Sequence, residues 1–591
     1  MKLIPLSIAL LGGLIVSACQ TSTHRNDQST SPVTQLVNDY SQQALNFNPI
    51  RATYIGVRGY NNKFTPVLSE ENRAKRLQFE KQYLDKANKI NQNQLKGQDL
   101  LTYKIFLRDR KMAIGANQFK FYMLPINQMY GVHNQFAQLG SADGSQPFNN
   151  AQDYRDFIQR ADGFSDWMDS AISAMRQGIK YGIVQPKPIV AKIIPQIKTH
   201  LVDDINQSVF YVPLKKLPKS ITHNEAALIK DFEKTITQVI IPAYRRMYQF
   251  LIDEYQPAAR DSIGLSSLPQ GLKWYEFMIK THTTLNLTAD EIHQYGKQEV
   301  ARILEEMNKV KTTVQFNGNM AEFFNFLRND RQFYFNKKED LIQAYKNVKH
   351  KIEKTLPQLF EVFPKAPYEV RAVPDFQAAS APGASYEGPA PDGSRPGIFY
   401  INTHNLKSQP KFIMETLSIH EAAPGHHFQI AIQQEVKGLP NYRKFGGYTV
   451  FSEGWALYAE SLGKELGLFE DPYMWYGRLV DEQLRAMRLV VDTGMHAKGW
   501  TREQAIEFML ANSSMARSDV EAEVERYIVI PGQALAYKIG QRKIRELREF
   551  GERTLADKFD IKKFHTQILI DGGLPMPILE EKMKAWFKTQ N

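Results

Sequence analysis

Three histidines and a glutamate stand within eight residues of this chain: His420, Glu421, His426 and His427, in the run Leu417-Ser418-Ile419-His420-Glu421-Ala422-Ala423-Pro424-Gly425-His426-His427-Phe428. Neutral imidazole is a common zinc ligand, and a carboxylate beside such a ligand can take a proton from a water that the metal acidifies. Two histidines four apart on a helix share one face and can grip a single ion. Here the separation from His420 is six residues to His426 and seven to His427. Seven residues of ideal helix return to the same face about 10 Å further along, too far for two ligands of one ion. Pro424 and Gly425 lie between them. Proline cannot continue the hydrogen-bond ladder and glycine accepts unusual dihedrals. The helix is therefore expected to bulge or break there and carry a later histidine back towards His420. The spacing leaves His426 and His427 both open as the second ligand.

A third ligand is available in Phe451-Ser452-Glu453-Gly454-Trp455-Ala456, where Glu453 follows His426 by 27 residues. Ser452 is expected to cap a helix whose first turn carries Glu453. Two histidines and a glutamate form the ligand set of a catalytic zinc site, with the fourth position left for water. One Zn2+ ion is the expected cofactor, with Glu421 as general base.

Such a site also needs a donor for the oxyanion that forms on an attacked carbonyl. Arg485, Arg488, Asp492 and His496 recur at three- and four-residue intervals. Asp492 is expected to hydrogen-bond His496 and leave its other nitrogen facing substrate, although a salt-bridged helix face accounts for the spacing as well. Tyr527 and Tyr537 are further oxyanion candidates, and Arg526 and Lys538 are candidates for a peptide carboxylate. Thr416, four before His420, is a candidate to orient that imidazole. Arg395, Phe399 and Tyr400 are expected on an edge strand that pairs with an extended peptide substrate.

The elements that must position these groups are mainly helical. Glu70 to Ile90, Asn224 to Tyr255 with an interruption at Pro242, Asp340 to Thr355 and Pro472 to Val491 carry helix formers with spaced apolar positions. Thr288-Ala289-Asp290-Glu291 has the form of a capping box opening a helix towards Val310. Ala378 to Pro396 is a loop by composition and empties into a β-rich run, Gly397 to Thr403. A turn-rich gap, Lys437 to Gly447, separates the histidine helix from the Glu453 helix.

Hydrophobic residues at 43% and charged residues at 23% of 591 describe an ordinary globular chain. The formal charge of +11 is spread among acids along the chain. Without zinc-finger spacing, a phosphate loop or an aromatic-basic motif, nucleic acid is not an expected partner. At the start, Lys2 precedes an apolar run, Leu3 to Val16, and Val16-Ser17-Ala18-Cys19 follows. These are the parts of a signal peptide over residues 1–18, with an apolar run short of the about 20 residues a membrane span needs. Cys19 is the only cysteine, so it has no disulfide partner in the chain and the zinc ligands must be nitrogen and oxygen. Gln20 to Pro32 is polar and Ser/Thr-rich, as a tether over residues 19–32 would be. Residues 33–591 are then expected as one large unit, with the active-site half over about 366–591.

The exit sequence resembles the lipobox of bacterial lipoproteins, which implies acylation of Cys19. Gln20 lacks the aspartate that favours inner-membrane retention, which implies the outer membrane, facing the periplasm. Together with the HEAAPGHH and SEGWALYAE strings, it resembles an uncharacterised family of bacterial lipoproteins known as a domain of unknown function. The site is also similar to that of gluzincin metallopeptidases: Glu453 in SEGWA is similar to the glutamate of the NEGFA motif of aminopeptidases. Gly425-His426 is similar to the GH pair of thimet-oligopeptidase-like and dipeptidyl-peptidase III-like motifs, which favours His426 over His427. The ExxxD/E pattern of some gluzincins is missing, because Leu457 stands four after Glu453; Glu460, seven after, shares its face. The resemblance implies a mainly α, gluzincin-like fold with a small β-sheet beside the active-site cleft, and peptide hydrolysis. The alternatives are a non-catalytic peptide- or metal-binding lipoprotein and a hydrolase of peptidoglycan amides. Oligomeric state is not encoded in any of these motifs.

Overall fold

Helices form where a cap and a spaced apolar face coincide. The Thr288 hydroxyl accepts the Glu291 N–H while the Glu291 carboxylate accepts the Thr288 N–H, and the helix runs Ala289–Thr313. Asp471 accepts the Tyr473 N–H and Pro472 occupies the first turn of a helix that runs to Ala497. Ser31 caps the first described helix, Pro32–Ala44, so Pro32 opens a helix instead of ending the tether. The computed structural model describes residues 31–219, 221, 226–378, 381–390 and 393–590. The signal peptide, Cys19 and the tether up to residue 30 lie outside the described residues.

The chain is mainly helical with one small sheet. Helices Glu70–Asn88 and Lys338–Thr355 lie where the pattern expects them. Before Tyr255 the chain runs as Ala226–Thr235 and Ile241–Phe250, with wide π turns over Ile236–Ile240 and Leu251–Tyr255. Pro242 stands in the first turn of the restarted helix, where its missing N–H costs least. Two large apolar clusters fill the interior. They meet along Pro472–Ala497, whose Met487, Val490 and Val491 belong to one and Leu489 to the other. This helix is buried on almost every side, so its charged residues must find partners inside the protein. Among the described residues no helix is long and apolar enough to cross a membrane.

The sheet corrects two expectations. β1 (Tyr368–Ala372), β2 (Ala384–Glu387) and β3 (Gly397–Ile401) stand in the order β1-β3-β2. β3 is therefore central, parallel to β1 and antiparallel to β2, and cannot offer Arg395, Phe399 or Tyr400 as a free edge. The loop-like stretch Ala378 to Pro396 contains β2, which is one edge of the sheet, β1 being the other. Asn402 N–H bonds to the Gly383 carbonyl and Val373 N–H to that of Ile401. By the alternation of antiparallel ladders, the main-chain groups of Ala384 and Tyr386 then face away from β3.

Candidate metal centre

The histidine segment is not one helix. Met414–Leu417 widens into a π turn over Ser418–Ala422, Ala423 is extended, and a new helix runs His426–Glu435. The Gly425 N–H bonds to the Ile419 carbonyl at 2.9 Å. A Cβ on Gly425 would collide with the carbonyl oxygens of Ile419 and His420, so glycine is required at this return. Trp455 Nε1–H donates to the Pro424 carbonyl at 2.8 Å and holds the break against the next helix. The break brings the His420 and His426 rings to 4.8 Å between centroids.

Glu453 arrives on helix Thr449–Glu460, which begins three residues before Ser452. Ser452 is thus inside the helix and not its cap; its hydroxyl donates to Gln429 Oε1 at 2.9 Å and lies 3.5 Å from His426 Nδ1. The helix packs on Ala536–Leu555 through facing glycines, Gly454 and Gly540, neither of which has room for a Cβ. Nε2 of His420 and Nε2 of His426 each lie 3.5 Å from Glu453 Oε2. The three ligand atoms fall within 4.8 Å of one another, so His420, His426 and Glu453 form a group that could hold a metal ion.

Behind His420, Nδ1 lies 2.7 Å from Glu460 Oε1, in a fully buried contact. Glu460 takes the orienting place expected of Thr416, whose buried hydroxyl has no hydrogen-bond partner. Seven residues are two helical turns, so the acids at 453 and 460 share a face; that spacing is the signal that pointed to Glu460. Arg485 stands 3.9 Å from the same Glu460 oxygen and pairs with Asp481 at 2.7 Å. Burial pulls the His420 pKa down, but Glu453 and Glu460 outweigh it and hold it at about 10. Burial pushes Glu453 up, yet the two imidazoles hold its carboxyl well below the usual range.

The field here favours positive charge, and Glu453 Oε2 is a buried oxygen with no hydrogen-bond partner. Two imidazole nitrogens, one carboxylate oxygen and an oriented imidazole fit zinc. Glu421 lies on the same turn as His420, half-buried and outside the three-atom group.

His427 stands apart from that group. Successive helical residues diverge by about 100°, and its Nδ1 lies 2.8 Å from the Tyr386 hydroxyl of β2, with its ring 4.8 Å from that of Tyr368. Burial pushes its pKa down to about 4, so it is neutral at pH 7. It fastens the edge strand to the ligand helix. His427→Gln is expected to leave metal binding at His420, His426 and Glu453 unchanged while lowering the unfolding free energy by about 1–3 kcal/mol, the cost of stranding a buried polar partner. Metal titration and urea unfolding of both proteins check this, and metal binding lost in the variant alone would contradict the placement.

The remaining candidates divide sharply. His496 is buried, with Nδ1 accepting the Leu265 N–H at 3.1 Å and Nε2 donating to the Tyr527 carbonyl at 3.0 Å. It clamps chain segments and has no nitrogen left for substrate. Asp492 accepts the Tyr275 hydroxyl at 2.5 Å and the Gly532 N–H at 3.0 Å, not His496. Tyr527 is buried, its hydroxyl shared between Glu523 and Arg488. Lys538 is buried in ion pairs with Glu482 at 2.6 Å and Glu299 at 2.7 Å. Arg526 is held by Glu523 and Gln533, and Arg395 by Glu387 and the Gly388 carbonyl.

Tyr400 lies on central β3, near Glu387. Among the oxyanion candidates, Tyr537 is the one whose electrostatics include Glu453. Its half-buried ring lies 4.5 Å from the Arg488 guanidinium, and its pKa is raised by burial and then by the Glu453 charge.

Residues 49–583 match the model of a family described as "Bacterial protein of unknown function (DUF885)". The chain belongs to this family. Its fold is that of the crystal structure of "the putative lipoprotein from Colwellia psychrerythraea", at 30% identity and a TM-score of 0.84 over 94% of this chain and 99% of that one. The structure of "a putative lipoprotein of unknown function from Shewanella oneidensis" shares the fold at 20% identity and a TM-score of 0.77, over 93% of this chain and 99% of that one. Comparison with curated proteins finds no match.

Proposed function

We propose that this DUF885 chain is a zinc-dependent peptidase that hydrolyses oligopeptides, with a gluzincin-like catalytic unit over residues 33–591. The observation that carries the reading is the convergence of His420, His426 and Glu453, with Glu421 next to His420 on the same π turn and outside the converging atoms. Zinc held by these three would supply a Lewis acid for a carbonyl oxygen and acidify a water molecule. Glu421 takes the proton of the attacking water and returns it to the leaving amine. The Tyr537 phenol donates to the oxyanion, with Arg488 packed on its ring to fix it. β2 packs against the turn that carries His420 and Glu421. Its outward main-chain groups at Ala384 and Tyr386 pair with an extended peptide. Export by residues 1–18, acylation of Cys19 and the short tether place the enzyme on the outer membrane, facing the periplasm; both solved relatives described above are called putative lipoproteins.

The test is a peptide-library digest by purified protein carrying one zinc ion. Cleavage that stops with a chelator and returns with zinc is expected. Zinc bound without any cleavage would overturn the peptidase and favour the non-catalytic binder.

A further inference from the structure

A cavity of about 1080 Å³ opens between the N-terminal helices Pro32–Ala44, Pro49–Tyr54 and Gly97–Gly115 and the segment 441–448. None of His420, Glu421, His426, Glu453 or Tyr537 lines it. Its wall carries five arginines, Arg51, Arg76, Arg108, Arg110 and Arg443, against one acid, Asp109.

The acids nearby do not cancel this surplus. Asp109 is already committed to the hydroxyls of Tyr442 at 2.6 Å and Tyr448 at 2.8 Å, and to Arg108 at 3.2 Å. Arg76 and Arg110 share one buried partner behind the wall, Glu80. Arg443 hydrogen-bonds the Thr102 hydroxyl and the Asp571 carbonyl, and Arg51 has no carboxylate partner within ion-pair distance among the described residues. Between the cations the wall mixes apolar side chains such as Leu45, Val57 and Met112 with amides such as Asn38, Gln42 and Asn48, and Ile55 and Phe445 remain 51% and 44% exposed at its edge. The cavity lies at the upper end of the volume of small-molecule sites. An anion with apolar substance around it matches this lining, and a small inorganic ion does not.

The cavity wall and the metal group share one hydrogen-bonded frame. Gln433 Nε2–H donates to the carbonyls of Arg443 at 2.8 Å and Gly446 at 2.7 Å, both on the wall. Its Oε1 accepts from the Gly573 N–H at 2.9 Å, also on the wall, and from Gln429 at 2.8 Å. Gln429 in turn accepts the Ser452 hydroxyl beside His426 and Glu453. Tyr448, the last wall residue of the segment, opens the helix that bears Glu453.

We propose that this cavity binds an acidic, partly apolar peptide segment, the part of a substrate remote from the bond that is cut. The proposal rests on the peptidase reading for its ligand but not for its site. It is tested with the full chain carrying Glu421→Gln, so that no turnover intervenes. Two labelled peptides of equal length are compared by fluorescence anisotropy, one with Asp and Glu among apolar residues, the other with Asn and Gln in their place. The acidic peptide is expected to bind about tenfold tighter, or about 1.4 kcal/mol. The advantage shrinks in high salt. It is lost in Arg51→Glu and in Arg108→Glu, with zinc content unchanged. Equal affinity for the two peptides, or an advantage that survives both charge reversals, overturns the proposal. Cleavage by the unaltered chain is scored separately. Charge-selective binding without cleavage removes the peptidase and keeps the site, and cleavage without charge selectivity does the reverse.

Discussion

Glu421→Gln is expected to lower kcat/KM for peptide hydrolysis by about 10³-fold while one zinc ion per chain stays bound. Glutamine keeps the size and one hydrogen-bonding oxygen of glutamate but cannot take up a proton at neutral pH. A positioned general base contributes about 10²–10⁴-fold, and in the proposed mechanism one carboxylate serves water attack and amine departure in turn. The structure separates this group from the ligands: Glu421 sits on the π turn with His420, outside the three atoms that converge. Its loss should therefore register in turnover and not in metal content. Steady-state kinetics beside elemental analysis of the same preparation decide it. Unchanged hydrolysis with zinc in place would sink the assignment of Glu421 as base.

Glu453→Gln should have the opposite signature, with zinc falling from one ion per chain to nearly none. The substitution removes the only anionic member of the set and leaves two imidazoles to hold the ion. Glu460→Gln is the graded comparison, because Glu460 touches His420 Nδ1 and not the converging atoms. Loss of such an orienting partner costs about 10–100-fold in metal affinity. Competition against a chromophoric chelator should rank unaltered protein above Glu460→Gln, and Glu460→Gln above Glu453→Gln. A Glu453→Gln protein that retains zinc as firmly as the parent would mean that the ion, if bound, is held elsewhere.

Much of this frame is legible without coordinates, and the reasons are local. Thr288 with Glu291, and Asp471 with Pro472, announce helix starts by side-chain chemistry that needs no tertiary context. Pro424-Gly425 announces the break for the same reason. What the break does is not local. Whether it delivers His426 or His427 depends on how Gly425 packs against two carbonyl oxygens. β2 is hidden because Gly383 and Gly388 bracket only four strand residues, and pairing with β3 decides their conformation. His496 misleads because helical spacing tells which residues share its face but not what lies opposite. Opposite it are the backbones of Leu265 and Tyr527. Lys538 misleads in the same way, since its partners Glu299 and Glu482 come from two other helices.

The contact of Gly454 with Gly540 ties the metal group to the C-terminal part of the chain. The helix that carries Glu453 lies against Ala536–Leu555, close enough that neither glycine tolerates a side chain. The backing of the Glu453 helix is thus supplied by a stretch of chain made more than eighty residues later. A ribosome that has released only the histidine run and the Glu453 helix has not yet made that backing. A chain truncated before Ala536 would leave the Gly454 face of the Glu453 helix uncovered.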